Sequence, residues 1–424
     1  MATLLTLLRA ADRYRSLIRS QYWSDEELRS YTRTALDETL REAARIPFYA
    51  ARWRGSPGTD DLSGLPTIGR REIGELNRSV LGLYPNGLRF SSDSSSGSTG
   101  TPAEFIFDAP HQRGRFAARA RYLRENGWTP FKRTAWLTYA VFRTARNDDE
   151  RLIRSRLRMR NHFIPASPGL DGNLVQLCRL DPIFLYTFPS YLEILLNRLA
   201  ETGRRPRSLE KIFTGAEVLE DSLRRRTKEA LGIDIAENYG STEAFLAWEC
   251  PSGNHHINAE HVLLEIVDEH GHTVGPGQIG RVLVTTLENR LAPLVRYEIG
   301  DYAVAAAGSC DCGRTLPLIG RVVGRVMNLF RLRDGQLISP WHLASAVRNC
   351  AEVKQFQIVQ NSVARFTVRF VSDLPLIADA EEVIRGGFRK ILGNEVLVDF
   401  QRMPEIPRTA GGKYMTALSE LTAN

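Results

Sequence analysis

Three cysteines and a pair of histidines are the first residues whose types and spacing could do chemistry. The segment Cys250-Pro-Ser-Gly-Asn-His-His256 offers one thiol and two adjacent imidazoles, and Cys310-Asp-Cys312 offers two more thiols. Three thiolates and one imidazole complete a tetrahedral Zn²⁺ site, and a closed four-ligand set leaves no position open for catalysis, so the expected role is structural. Cys-x-Cys is tighter than the usual ligand spacing. His256 is assigned as the fourth ligand, with His255 as the alternative. The competing reading is idle or buried thiols beside two exposed histidines.

A second set carries polar groups suited to a phosphate. In Ser94-Ser-Ser-Gly97-Ser-Thr-Gly100-Thr-Pro102, glycines let the backbone approach closely while N–H groups and hydroxyls donate to phosphate oxygens. No Gly-Lys-Ser/Thr follows, so this is not a P-loop. Alone it reads equally well as a Ser/Gly linker, although strand-like segments flank it. Three further stretches accompany it. They are Ile212-Phe-Thr-Gly-Ala-Glu217 with Glu237-Asn-Tyr-Gly-Ser-Thr-Glu243, then Pro293-Leu-Val-Arg-Tyr-Glu-Ile-Gly-Asp301, then Pro407-Arg-Thr-Ala-Gly-Gly-Lys413. Each has a plain structural alternative: Tyr239 as core, Asp301 as a turn residue, Lys413 as a solvated terminus. Lys413 is one of only six lysines in a chain of 56 cations.

The elements that must hold these residues are legible in outline. Residues 1–50 read as helices, with Leu28, Tyr31, Leu36, Leu40 and Ala44 near helical spacing. A Gly/Pro/Asp-rich loop spans 55–66, and Glu104-Phe-Ile-Phe107 reads as a strand. Strand-like and helical segments alternate from about 110 to 235, for example Phe184–Thr187 followed by a helix at Tyr191–Glu201. Such alternation predicts an α/β sheet. Short strands at 261–267, 280–286 and 302–305, separated by turns such as Gly275-Pro276-Gly277, predict antiparallel pairing. Beyond about 325 a small α+β unit is expected, with helices near 340–353 and 379–392 and strands at 356–359 and 364–370. The expected fold class is therefore α/β: a large N-terminal α/β domain, 1–324, with mixed sheets and an antiparallel β subdomain, and a small C-terminal α+β domain, 325–424. No internal repeat is evident.

Composition narrows the classes. The 424 residues, 43% hydrophobic and 25% charged, suit two to four folded units and exclude disorder or a collagen-like repeat. No apolar run approaches the roughly 18 residues that span a bilayer. Leu4, Leu5, Leu7 and Leu8 are followed at once by Arg9, Asp12 and Arg13, which predicts an amphipathic first helix rather than a leader. Net charge is 56 − 49 = +7, yet no recognition helix or aromatic-basic interleaving points to nucleic acid. The one arginine cluster, 143–160, includes Asp148, Asp149 and Glu150; it reads as a solvated helix face or as a docking site for a phosphorylated partner. Five cysteines make no disulfide framework, so a reducing cytoplasm is expected.

Taken in order, the Ser/Thr/Gly loop, Tyr-Gly-x-Thr-Glu, Arg-Tyr-x-x-Gly-Asp and the terminal Pro-Arg-Thr-x-x-Gly-Lys make the chain resemble the adenylate-forming superfamily. Within it the resemblance is greatest to the phenylacetate–CoA ligase branch, and it covers nearly the whole chain. The resemblance implies ATP, Mg²⁺ and coenzyme A, or the phosphopantetheine of a carrier protein, as cofactors and acceptors, and a small carboxylic acid as substrate. By the same resemblance Ser95, Ser96, Gly97, Ser98, Thr99 and Gly100 cradle the β- and γ-phosphates, and Tyr239 and Gly240 lie against the adenine. Gly215, Ala216 and Glu217 line the other side of the base, and Glu243 holds Mg²⁺, a hard carboxylate for a hard cation. Asp301 accepts from the ribose hydroxyls, and Arg325 reaches ribose or phosphate from the domain junction. Lys413 is then catalytic, an ammonium bridging the carboxylate and the α-phosphate where charge develops, and the C-terminal domain is mobile so as to present it. Some members of the branch carry a similar Cys/His set. The junction departs from the family pattern: Gly324-Arg-Val-Met-Asn328 lacks the two acids that usually follow Gly-Arg-x, which leaves the pivot of the domain rotation open. Tyr139, Val141, Phe142 and Phe245 are the aromatic and apolar candidates for an aryl-acid pocket, with core packing as their alternative. An amine acceptor and a homodimer stay open.

Overall fold

A computed structural model describes residues 2–53, 58–59, 62–84, 90–94, 103–138, 160–166, 170–325, 330–333, 337–338, 341–348, 350, 352–407 and 415–421. Two compact units divide the chain, the larger taking most of the residues up to Val322 and the smaller most of those from Val323 onward.

The larger unit begins with α1 (Ala2–Ser20), α2 (Asp25–Ala44), α3 (Pro47–Ala50) and α4 (Ile73–Gly82), then a hairpin of β1 (Ser91–Ser94) and β2 (Glu104–Phe107). The expected helical N-terminus is present. Ser24 starts α2 with a reciprocal cap, its hydroxyl accepting from the Glu27 N–H while the Glu27 carboxylate accepts from the Ser24 N–H. Next come α5 (Ala109–Glu125), β3 (Thr134–Thr138), β4 (Asn161–Pro165), α6 (Leu170–Leu180), β5 (Phe184–Thr187), α7 (Pro189–Thr202), β6 (Lys211–Gly215), α8 (Asp221–Leu231) and β7 (Ile235–Gly240). Strands β8 (Phe245–Glu249), β9 (His255–Ile257), β10 (Val262–Val267), β11 (Ile279–Thr286), β12 (Tyr297–Ala305) and β13 (Leu318–Arg325) follow without an intervening helix.

Among the described residues eleven of these strands form one sheet, ordered β10-β11-β12-β13-β9-β8-β7-β6-β5-β3-β4. From β4 to β7 the pairing is parallel, and β8 and β9 continue it antiparallel. Parallel strands are covered on both faces and so read as continuous apolar runs, as Ala135, Leu137, Leu185, Ile212 and Phe213 do here, all buried. The fold is the expected mixed α/β. Its antiparallel strands are continuous with the parallel ones, a join the sequence did not reveal. Strand β12 also starts five residues before the expected 302, because Gly300, at φ +84, is carried inside the strand.

The smaller unit pairs β14 (Phe330–Arg331) with β15 (Leu337–Ile338) and adds α9 (Trp341–Arg348) and α10 (Ala378–Leu392). Its four-stranded sheet is ordered β18 (Leu397–Arg402), β17 (Arg365–Val371), β16 (Gln355–Ser362), β19 (Ala417–Ser419). Phe330, Phe366 and Phe388 meet edge to face in its core. No described helix is long and apolar enough to cross a membrane.

Candidate functional site

The four sequence-predicted metal ligands converge. Cys250 directly follows strand β8, and a tight turn returns the chain to β9, with Cys250 N–H donating to Asn254 O (2.9 Å) and the N–H of Gly253, at φ +83, donating to Cys250 O (2.9 Å). A second turn carries Cys310 and Cys312, closed by the Gly313 N–H on Cys310 O (3.1 Å). The Sγ atoms of Cys250 and Cys310 are 3.6 Å apart, and Cys312 Sγ lies 3.2 Å from His256 Nε2. All four donor atoms fall within 4.8 Å of one another. A tetrahedral Zn²⁺ with Zn–S near 2.3 Å sets its sulfurs about 3.8 Å apart, so the geometry fits that ion.

The surroundings suit ligation. His256 Nδ1–H donates to Leu316 O (3.1 Å), which turns the Nε2 lone pair toward Cys312. Burial holds this imidazole below its ordinary pKa, and the Leu316 bond opposes that only in part. Asn254 Nδ2 and the Cys312 N–H donate to Cys310 Sγ (3.2 and 3.5 Å), a setting that favours thiolate. Burial pushes the Cys250 thiol up to about 11, so a cation binding there displaces a proton. The alternation of a strand decides between the histidines: neighbours on β9 point to opposite faces. His255 instead lies 3.3 Å from Glu237 Oε2 and groups with Glu249. The thiols are neither scattered nor exposed.

The described nucleotide-motif residues from Gly215 to Gly240 lie at the carboxyl ends of parallel strands, where ligands gather in such sheets. Strand β6 runs into Gly215, Ala216 and Glu217, and β7 into Tyr239 and Gly240. Gly215 pairs with Asn238 in register, which sets the two segments side by side. Gly215 must be glycine, since a Cβ would lie 2.6 Å from Asn238 Nδ2. That amide donates to Thr214 O (2.7 Å) and Tyr186 Oη (3.0 Å). Ala216 is held at φ +68, a left-handed conformation costing a non-glycine residue about 1–2 kcal/mol. Glu217 Oε2 accepts the Ser190 N–H (2.9 Å) at the start of α7, where a carboxylate also meets the positive end of the helix.

Beyond Gly240 a short turn leads to the buried Glu243. Ser241 Oγ accepts from the N–H groups of Glu243 (3.2 Å) and Ala244 (3.3 Å), and His111 Nε2–H donates to Glu243 O (2.8 Å). Tyr239 is buried, while Asp301 lies on β12, partly exposed. Phe245 is packed in the core beside Trp248 and Tyr122, matching its packing alternative rather than a pocket wall. Ser95, Ser96, Gly97, Ser98, Thr99, Gly100, Tyr139, Val141, Phe142, Lys413 and all of 143–160 but Arg160 lie outside the described residues, as does the side chain of Arg325. Sequence reasoning missed Asn238, Ser190 and His111. Asn238 sits inside a quoted motif and was in principle readable; the other two act through contacts distant in sequence.

Comparison with known proteins follows this geometry. Residues 154–287 match the AMP-binding enzyme family, and residues 330–420 match the CapK C-terminal domain. A phenylacetate-coenzyme A ligase of Thermus thermophilus is 30% identical over 246 residues, 56% of this chain and 53% of that protein. Protein CapK of Staphylococcus aureus is 27% identical over 293 residues, 66% of this chain and 58% of that one. The chain thus spans little more than half the length of these curated relatives. Among solved structures, 2-hydroxyisobutyryl-CoA ligase in its postadenylation state superposes with a TM-score of 0.73 at 18% identity. That match covers 95% of this chain and 93% of the other, a likeness of fold.

Proposed function

We propose that this chain belongs to the adenylate-forming superfamily, in its phenylacetate–CoA ligase-like branch, and that it joins a carboxylic acid to coenzyme A by way of an acyl-adenylate. A carboxylate oxygen attacks the α-phosphorus of ATP, the bond to the β-phosphate breaks and pyrophosphate leaves. The thiol of coenzyme A then attacks the acyl carbon, and AMP departs. The observation that carries this reading is the register of β6 on β7, which sets Gly215 opposite Asn238 and so brings the Gly215–Glu217 and Tyr239–Glu243 motif segments to the same ends of neighbouring parallel strands.

Lys413, carried by a C-terminal domain of residues 325–424, stabilises the charge that builds as phosphorus is attacked. Ser95–Gly100 hold the β- and γ-phosphates, Tyr239 and Gly240 face the adenine, Asp301 accepts from the ribose hydroxyls, and Arg325 reaches ribose or phosphate. Ala216, held in its left-handed turn, presents backbone to the base. Glu217 braces α7 and thereby the same segment. Glu243 holds Mg²⁺, which offsets phosphate charge. Zn²⁺ at Cys250, His256, Cys310 and Cys312 ties the β8–β9 turn to the turn before β13 and takes no part in the chemistry. An aryl acid is the proposed substrate class, and the cytoplasm the proposed location. A second reading keeps the first step and passes the acyl group to a carrier-protein phosphopantetheine or an amine.

ATP–pyrophosphate exchange with a panel of aryl and alkyl acids tests the first step whatever the acceptor. Exchange is expected with at least one acid, and Lys413→Ala should slow it about 10²–10³-fold, the usual cost of removing a group that stabilises developing charge. Absence of exchange across the panel, or an unaffected Lys413→Ala, would sink the assignment. Product mass with CoA or a carrier then separates the two acceptors.

A further inference from the structure

We propose that His111, at the start of α5, is the positioning residue of the 241–244 turn, and that a buried train of side chains holds it there. The effect on catalysis rests on the reading of Glu243 as the Mg²⁺ carboxylate; the effect on the turn does not.

Asp108 caps α5 by accepting the His111 N–H (2.9 Å), which fixes the backbone of His111 in the first helical turn. Its ring is fully buried between Phe107 (centroids 4.9 Å, planes 9° apart) and His261 (4.7 Å, 28°). A carbonyl can only accept, so the bond to Glu243 O requires the proton on Nε2. Nδ1 is then a lone pair, and it has no hydrogen-bond partner among the described residues. A phenylalanine would pack as well without burying that lone pair. The gain from imidazole is therefore the donor aimed at Glu243 O.

The support runs back to the first helix. His261 Nδ1 lies 2.5 Å from Glu288 Oε2, and Arg13 Nε lies 2.8 Å from Glu288 Oε1. Helix α5 closes over this pair only because residue 114 is glycine. A Cβ there would lie 1.8 Å from Glu288 Oε2 and 2.7 Å from His261 Nδ1. Arg13 thus orients Glu288, Glu288 orients His261, and His261 stacks on His111, which pins the turn from outside. Within the turn Ser241 Oγ binds the Glu243 and Ala244 N–H groups. The backbone of Glu243 is consequently held on both sides, and its side chain emerges in a fixed direction.

Three measurements test this. In ¹⁵N spectra of the wild-type protein His111 should be the neutral Nε2–H tautomer; an Nδ1–H tautomer overturns the proposal without any variant. In His111→Phe, which keeps the packing and removes the donor, amide exchange over 241–244 should rise about tenfold, as expected for a lost buried hydrogen bond. Exchange in β6 and β7 should stay at wild-type rates, and His111→Gln, which restores a donor, should recover most of the protection. Unchanged exchange in the turn, or an equal rise in β6 and β7, would mean that His111 merely fills the core. In ATP–pyrophosphate exchange the Mg²⁺ concentration for half-maximal rate should rise about tenfold in His111→Phe, with a smaller change at saturating Mg²⁺. Glu243→Gln is the control: if it leaves the Mg²⁺ dependence unaltered, the metal assignment fails while amide exchange still decides the role of His111.

Discussion

Around Arg121 the larger unit buries charges of both signs, whereas around Cys250 it buries donors of a single kind. The Arg121 guanidinium meets both oxygens of Glu260 (2.7 and 3.0 Å), Asn258 Oδ1 (2.6 Å) and Leu17 O (2.9 Å), and Ser20 Oγ donates to Glu260 Oε1 (2.6 Å). Burial alone raises the pKa of Glu260, but Arg121 and Ser20 outweigh it and hold this carboxyl below its usual range. That cluster is closed by the chain's own atoms. At Cys250, His256, Cys310 and Cys312 four donor atoms crowd together, with the Arg314 guanidinium at Cys312 as a cationic neighbour. One guanidinium does not neutralise three thiolates, so this donor set suits a cation from outside. One cluster is therefore a product of folding alone, and for the other we propose that folding and metal binding are the same event.

The hardest way to break this contrast is to remove the metal. The purified protein should carry about one zinc per chain by elemental analysis. Chelation, or Cys310→Ser, should destabilise the larger unit by at least about 5 kcal/mol in urea unfolding, given that structural zinc supplies roughly 10–16 kcal/mol in small peptides. A zinc-free protein of full stability would return the thiols to the idle reading.

The Arg121 cluster should respond oppositely. Glu260→Gln leaves a buried guanidinium without its counter-charge and should cost about 3–5 kcal/mol, with no sensitivity to chelator. Replacing both partners, Arg121→Met with Glu260→Leu, should recover most of the loss, because an apolar pair of similar volume needs no desolvation. If the double variant is as unstable as the single one, the cluster holds the fold through more than its charges.

The two clusters also differ in how far the sequence reveals them. Thiols and imidazoles announce metal chemistry by residue type, and the period of a strand even separates His256 from His255. Arg121 and Glu260 lie far apart in the chain, and charged residues are ordinarily exposed. Helix α5 buries Gln112, Arg115 and Arg121 along with Ala117, Ala118 and Tyr122, so no apolar stripe marks its inner face. The same limit holds at the candidate nucleotide site. The motif order was plain, but the bracing of α7 by Glu217 and the reach of His111 to the Glu243 carbonyl depend on tertiary contacts. Parallel strands were readable from apolar runs and alternation. The continuity of the sheet was not, because nothing local distinguishes a strand that joins a neighbouring sheet from one that starts its own.

A third buried group, the His261–Glu288 pair, lies between these extremes and yields the mildest effect. Burial, then Arg13 and Arg115, hold the His261 imidazole well below its ordinary 6.5, with Arg121 adding to them and Glu260 opposing. The folded protein keeps this ring neutral while the unfolded chain protonates it below about 6.5, so the unfolded state binds more protons and stability falls as pH drops through that range. The limiting slope is about 1.4 kcal/mol per pH unit for one group. Glu288 works against it. Burial raises that carboxyl above 4.5 despite Arg13 and His111, so its contribution is full at low pH and is lost as pH rises through its raised value. The two cancel in part wherever their ranges overlap, and the pair's own share of the loss between pH 7.5 and 5.5 should be about 1 kcal/mol, beside that of His111, which burial also holds well below its ordinary value. Urea midpoints at those two pH values, in wild type and in His261→Gln, measure it. The variant should lose less on acidification; an equal loss would show that His261 is not the group being titrated, and that the pair is closed by its own charges as firmly as Arg121 and Glu260.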